Sequence, residues 1–92
     1  MTDGRAEATD DELTALRERG DLLPLIDALL DRGTRALDRG DWSAALRDLD
    51  EAALVARLSG QPGRAAQAST AAAVALRADG RLLAANAKMI RS

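Results

Sequence analysis

The sequence predicts an all-α fold of four or five antiparallel helices. Alanine and leucine dominate, β-branched residues are few, and apolar residues recur at helical spacing between short polar turns. Alanine and leucine favour helix, whereas strands are enriched in β-branched and aromatic residues. Because the predicted turns are short, consecutive helices are expected to pack as antiparallel neighbours.

Residues 1–9 show no periodicity and are predicted to be a disordered acidic tail, which leaves residues 10–92 as one helical domain. A short first helix is expected to be capped by Asp10 or Asp11 and to end near Gly20. A second helix is expected from Asp21 to Gly40. Pro24 falls in its first turn, where the missing amide hydrogen costs little.

A third helix is predicted from Asp41 to about Ser59. The segment 60–63, Gly-Gln-Pro-Gly, should end the third helix and separate it from the next one. A fourth helix is predicted over about 64–78, followed by a corner at Asp79-Gly80 and a last helix over about 81–91. The residues expected to face water on the third helix are Arg47, Asp48, Asp50, Glu51 and Arg57, and its apolar stripe is predicted to be Ala45, Leu46, Leu49, Ala52, Ala53 and Ala56.

The corner between the second and third helices is the most specific local signal. Gly40 can adopt the left-handed conformation that ends a helix, and Asp41 can cap the helix that follows. Trp42 is the sole aromatic residue of the chain and is predicted to wedge between the two helices. Gly80 repeats the glycine after 40 residues, and Ala45 and Ala85 each follow their glycine by five positions.

These spacings resemble the tetratricopeptide repeat family over residues 26–91, with about one and a half repeats. The matching residues of the first copy are Gly33, Gly40, Asp41, Trp42, Ala45, Leu49 and Ala52, and those of the second copy are Ala73, Gly80, Leu82, Ala85 and Met89. Arg32 departs from the pattern, because the family usually has leucine there, and the second copy has no aromatic residue. The alternative is an alanine-rich helix bundle without repeats.

The composition argues against catalysis. The chain has no Cys, His, Tyr or Phe, so the usual general bases, activated thiols and zinc ligands are missing. We therefore expect a protein that is not an enzyme and that uses no cofactor or metal. No apolar run approaches the roughly 18 residues of a membrane span, and the polar start lacks the apolar core of a signal peptide. These features favour the cytoplasm and no membrane partner.

Charge is distributed unevenly along the chain. Residues 1–60 carry 14 acidic and 8 basic residues, a net charge of −6, whereas residues 61–92 carry 1 acidic and 5 basic residues, a net charge of +4. This asymmetry reflects either two differently solvated faces or a polarity used for docking. Because the chain is acidic overall and lacks Tyr or Phe to stack on bases, we expect no nucleic-acid partner.

The resemblance implies a groove, lined by the first helix of each pair, that receives a peptide or helix of another protein. The positions that would line it are Asp27, Leu30, Thr34, Leu37 and Asp38 on one helix and Gln67, Thr70, Val74 and Arg77 on the other. The alternative for the two leucines is that they pack on the N-terminal helix, which would then fill the groove.

The last predicted helix carries two apolar stripes. Leu82, Ala85 and Met89 would face the preceding helix, whereas Leu83 and Ile90, seven residues apart, form a second stripe displaced around the axis. A terminal repeat helix normally turns a polar face to water. The second stripe therefore predicts a contact surface, for a second copy of the chain in a homodimer or for another protein.

Together these features predict a non-catalytic protein–protein interaction module, an adaptor or docking domain that binds a peptide or helix. The alternative is a small accessory subunit that associates stably with an enzyme. An adaptor should be a stable monomer when free, whereas an obligate subunit should gain thermal stability when its partner is added.

Overall fold

The computed structural model describes the backbone of residues 7–91 and the side chains of residues 7–80. Within that range the chain forms four helices and no strand: α1 (Asp10–Arg19), α2 (Leu22–Arg39), α3 (Trp42–Leu58) and α4 (Pro62–Arg91). The all-α prediction is therefore confirmed. None of the helices, over the described residues, is both long and apolar enough to cross a membrane.

Glycines in the left-handed conformation end the first two helices as predicted. Gly20 and Gly40 have φ of 71° and 77°, and each donates its backbone N–H to carbonyls of the preceding turn. The side chain of Asp41 accepts a hydrogen bond from the amide of Ala44, which caps α3 as expected. The cap of α1 was predicted wrongly: it is Thr9, which forms a capping box with Glu12.

The prediction of a corner at Asp79-Gly80 is wrong. Helix α4 runs without interruption from Pro62 to Arg91, so the predicted fourth and fifth helices are one helix of 30 residues. Gly80 does not have the positive φ seen at Gly20, Gly40 and Gly60. A glycine inside a helix costs only about 1 kcal/mol relative to alanine, and the alanine-rich flanks offset that cost.

The helices pack in antiparallel order around α3. Gly33 of α2 lies against Leu49 of α3, where an added Cβ would stand 2.6 Å from the leucine Cγ. The two helices therefore cross closely at a residue without a side chain. Among the described residues the core consists of leucines from α1, α2 and α3, one isoleucine from α2, and alanines from α2, α3 and α4: Leu13, Leu25, Ile26, Leu29, Leu30, Ala36, Ala45, Leu49, Ala52, Ala53, Ala56, Ala65, Ala68, Ala72 and Ala75.

Trp42 does not form the predicted wedge. Trp42 is half-buried. It belongs neither to the core nor to the partly buried apolar residues that pack against the core. Because it is the first residue of α3, its ring lies near the turn, where a Cβ on Gly40 would be 3.8 Å from Cζ2. The crossing of α2 and α3 is instead filled by small residues such as Ala36 and Ala45, which are fully buried.

Asp48, predicted to face water, is buried with a relative exposure of 2%. Its carboxylate accepts two hydrogen bonds from Arg32, Nε to Oδ2 at 2.7 Å and Nη2 to Oδ1 at 2.8 Å. Arg32 also donates from Nη1 to Asp10 Oδ1 at 2.7 Å and to the carbonyl of Ala8. A paired, hydrogen-bonded arginine can occupy a position that is largely shielded from water, and the Arg32 side chain is 12% exposed.

The predicted tail is described only in part. Residues 1–6 lie outside the described residues. Of the rest, Glu7 accepts a hydrogen bond from Arg39 at 2.9 Å, and Ala8 packs against the core. Together with the bond between Arg17 and Glu51 at 2.6 Å, these contacts place α1 beside both α2 and α3.

Candidate functional site

One candidate surface lies where α2 and α4 run side by side in the same direction, both antiparallel to α3. The two helices are joined near their beginnings by Arg64, whose Nε donates to Asp27 Oδ1 at 2.9 Å. This hydrogen bond raises the pKa of the Arg64 guanidinium, which stays positively charged. We call this surface the α2–α4 face and define it by Asp27, Thr34 and Asp38 of α2 and Gln67 and Val74 of α4, all of them exposed.

The predicted groove residues of α2 divide into two groups. Thr34 and Asp38 are exposed on the α2–α4 face, although the Thr34 hydroxyl donates to the carbonyl of Leu30 at 2.7 Å. Leu30 is a core residue with 8% exposure, and Leu37 is half-buried against the core. Leu37 therefore supplies an apolar edge to the face, whereas Leu30 supports it from beneath.

Helix α1 does not cover this face. Arg32 marks the side of α2 that contacts α1, through its bond to Asp10. Leu30 precedes Arg32 by two residues, so it lies about 200° around the helix, on the opposite side. This position argues against the alternative in which α1 fills the groove by packing on Leu30 and Leu37.

The predicted residues of α4 are all exposed, but they do not share one side of the helix. Gln67 and Val74 follow Arg64 by three and ten positions, which places them about 60° and 80° around the helix from Arg64, between the side that contacts α2 and the outward side. Thr70 and Arg77 lie further around the helix, toward the side opposite the buried alanines. Val74 is 52% exposed and is an apolar side chain within reach of a partner on the α2–α4 face. The side chains of Leu83 and Ile90 lie outside the described residues.

A second surface, which the sequence reasoning missed, is an open groove between α3 and α4. It has a volume of about 360 Å³ and is lined by Leu46, Asp50, Ser69, Ala72, Ala73 and Leu76. Leu76 is 61% exposed, so this α3–α4 groove presents a large apolar side chain to solvent. The signal in the sequence was the spacing of Ser69, Ala73 and Leu76, which recur at intervals of four and three along one side of α4.

Within the described residues no group of three or more acidic, histidine or cysteine side chains is arranged to hold a metal ion. The ionic cluster of Arg32, Asp48 and Asp10 is occupied by its own hydrogen bonds and joins three elements of the fold. Arg32 holds the pKa of Asp10 below its usual value, chiefly through the hydrogen bond between them.

Comparison with protein families, with characterised proteins and with solved structures finds no match to this chain.

Proposed function

We propose that the protein is a non-catalytic interaction module of the tetratricopeptide type, which binds a peptide or helix of another protein on its α2–α4 face. The observation that carries the proposal is the bond from Arg64 to Asp27, which joins α2 and α4 beside Val74, an apolar side chain of α4 that is 52% exposed. An apolar anchor beside polar groups is typical of surfaces that receive a short segment of a partner.

The charges on this face indicate the chemistry of the partner segment. Asp27 is already bonded to Arg64, whereas Asp38 has no ion pair among the described residues. A suitable partner segment would have an apolar residue that packs against Val74 and Leu37 and a basic residue that pairs with Asp38. The repeat interpretation draws support from the first copy, where Gly33 and Gly40 perform the packing and turning that the pattern requires.

Site-specific photo-cross-linking in the native host tests this proposal. A photoreactive phenylalanine analogue at Gln67 should form a covalent adduct with a discrete polypeptide. The same analogue at Leu54, which is 50% exposed on α3 and away from this face, should not form that adduct. Equal labelling from the two positions, or no adduct from Gln67, would refute binding at the α2–α4 face.

A further inference from the structure

The length of α4 leaves its last third beyond the rest of the described fold. Leu76 of α4 lines the α3–α4 groove together with Leu46 of α3, and α3 begins four residues before Leu46, at Trp42. Because the two helices are antiparallel, α4 passes the beginning of α3 close to Gly80. The remaining residues, 81–91, continue as helix and extend for about 16 Å at 1.5 Å per residue.

The spacing of the α4 residues that line the groove continues along the sequence past Gly80. Ser69, Ala73 and Leu76 line the groove, and the alternating intervals of four and three continue through Gly80 to positions 83, 87 and 90. The residues at these last positions are Leu83, Ala87 and Ile90. Such spacing over three heptads is the pattern of a helix that pairs with another helix along a narrow seam.

We propose that two copies of the chain pair through this row of α4 residues, with their α4 helices antiparallel and crossing at Gly80. Residues 81–91 of each copy would then lie along residues 69–79 of the other and cover its α3–α4 groove. The two segments have equal length, eleven residues each, on either side of the glycine. This pairing gives a closed twofold dimer with the same patch on both copies.

The register of the pairing places complementary residues opposite each other. With the twofold axis at Gly80, position 73 lies opposite position 87, so alanine meets alanine, and position 76 lies opposite position 84, next to position 83. The groove carries Asp50, which has no ion-pair partner among the described residues. Residues 81–91 contain three basic residues and no acidic one, so their end would bring positive charge toward that carboxylate.

Gly80 suits the crossing point of two helices. A Cβ built on it would meet nothing within 4 Å in the described chain, so its backbone is open to close approach. The competing occupant of the groove is the same chain, folded back at Gly80. That arrangement would break α4 and consume part of residues 81–91 in a turn, whereas a second copy leaves the helix intact.

Engineered disulfides distinguish the two occupants, because the chain has no cysteine of its own. The pair Ala73→Cys and Ala87→Cys should oxidise to a covalent dimer of about 19 kDa, twice the chain mass of 9.7 kDa. The control pair Thr70→Cys and Ala87→Cys, with its first cysteine on the outward side of α4, should not form that dimer efficiently. A disulfide within one chain in the first pair would overturn the proposal in favour of folding back.

Sedimentation equilibrium supplies the second measurement and needs no oxidation. The native chain should sediment as a dimer, and Leu76→Asp should reduce the mass to 9.7 kDa while the helical circular dichroism signal is retained. The matched variant Val74→Asp, at a residue of similar exposure on the α2–α4 face, should remain dimeric. A native chain that is monomeric at high concentration, or equal masses for the two variants, would overturn the dimer while leaving partner binding at the α2–α4 face untouched.

Discussion

Gly33→Ala tests the close approach of α2 and α3, on which the placement of both candidate surfaces depends. The added methyl group would lie 2.6 Å from Cγ and 2.8 Å from Cδ2 of Leu49. Carbon atoms in good contact are about 3.5–4.0 Å apart, so the overlap is about 1 Å. Leu49 is fully buried and cannot turn into solvent. Overpacking of this kind costs about 1–3 kcal/mol.

The same substitution gains about 1 kcal/mol from the higher helix propensity of alanine. Since the clash is with the branch point of Leu49 and not only with its tip, we take the cost near the upper end and expect a net loss of about 1–2 kcal/mol. For a chain of this size the loss corresponds to a fall in Tm of roughly 5–15 °C.

Thermal and urea unfolding, followed by circular dichroism at one protein concentration, measure this loss. Gly63→Ala is the matched control, because Gly63 lies in the first turn of α4 and an added Cβ there meets nothing within 4 Å. We expect the control to be as stable as the native chain or slightly more stable. A Gly33→Ala variant as stable as the control would show that α2 and α3 do not cross at the distance described.

The ionic cluster and the first cap give three further predictions. Asp48→Ala should cost about 3–5 kcal/mol in urea unfolding because it leaves Arg32 buried without its main partner, and the double variant Arg32→Met with Asp48→Leu should recover most of that loss. Since Arg32 lowers the pKa of Asp10 from 3.8, this contact stabilises the fold above about pH 4, and the contribution disappears as the pH falls through the lower pKa of the folded state. Asp10→Asn should therefore be less stable than the native chain at neutral pH and should lose less stability on acidification from pH 5 to pH 2. Thr9→Ala should cost about 1 kcal/mol in thermal unfolding, by removing the cap of α1.

The two glycine corners show how far the sequence determines this fold. Gly40 is followed by Asp41, which caps the next helix, so two independent signals agreed and the corner was predicted correctly. Gly80 follows an aspartate and precedes Arg81, with no capping residue and no proline after it. A lone glycine lowers helix stability without stopping the helix, and the sequence pattern alone did not distinguish the two cases.

The sequence pattern also did not predict that Arg32 and Asp48 form a buried pair, for a different reason. Each residue is polar and was judged by its own helix, but their burial depends on a partner on another helix, 16 positions away. The signal in the sequence was Arg32 itself, a charged residue at a position where the repeat pattern usually has leucine. Charged residues are buried when they are paired, so an arginine at a core position predicts an acidic residue on the facing helix.

The candidate surfaces were predicted in part. The sequence identified Thr34, Asp38, Gln67 and Val74 as surface positions, and the structure exposes all four. It did not identify the α3–α4 groove, because the groove is formed by residues of two helices, Leu46 and Asp50 of α3 and Ser69 to Leu76 of α4, and the packing of these helices side by side is not visible in either segment alone.

Binding of a polypeptide partner on the α2–α4 face can be measured directly. The most direct test is a calorimetric titration of the cross-linked polypeptide, once identified, into the native chain, Val74→Asp and Leu54→Asp. The two substitutions introduce the same charge at residues of nearly equal exposure, 52% and 50%. The account predicts native affinity for Leu54→Asp and binding weakened by about tenfold or more for Val74→Asp, a loss of at least about 1.4 kcal/mol. Equal affinities for the two variants would contradict it.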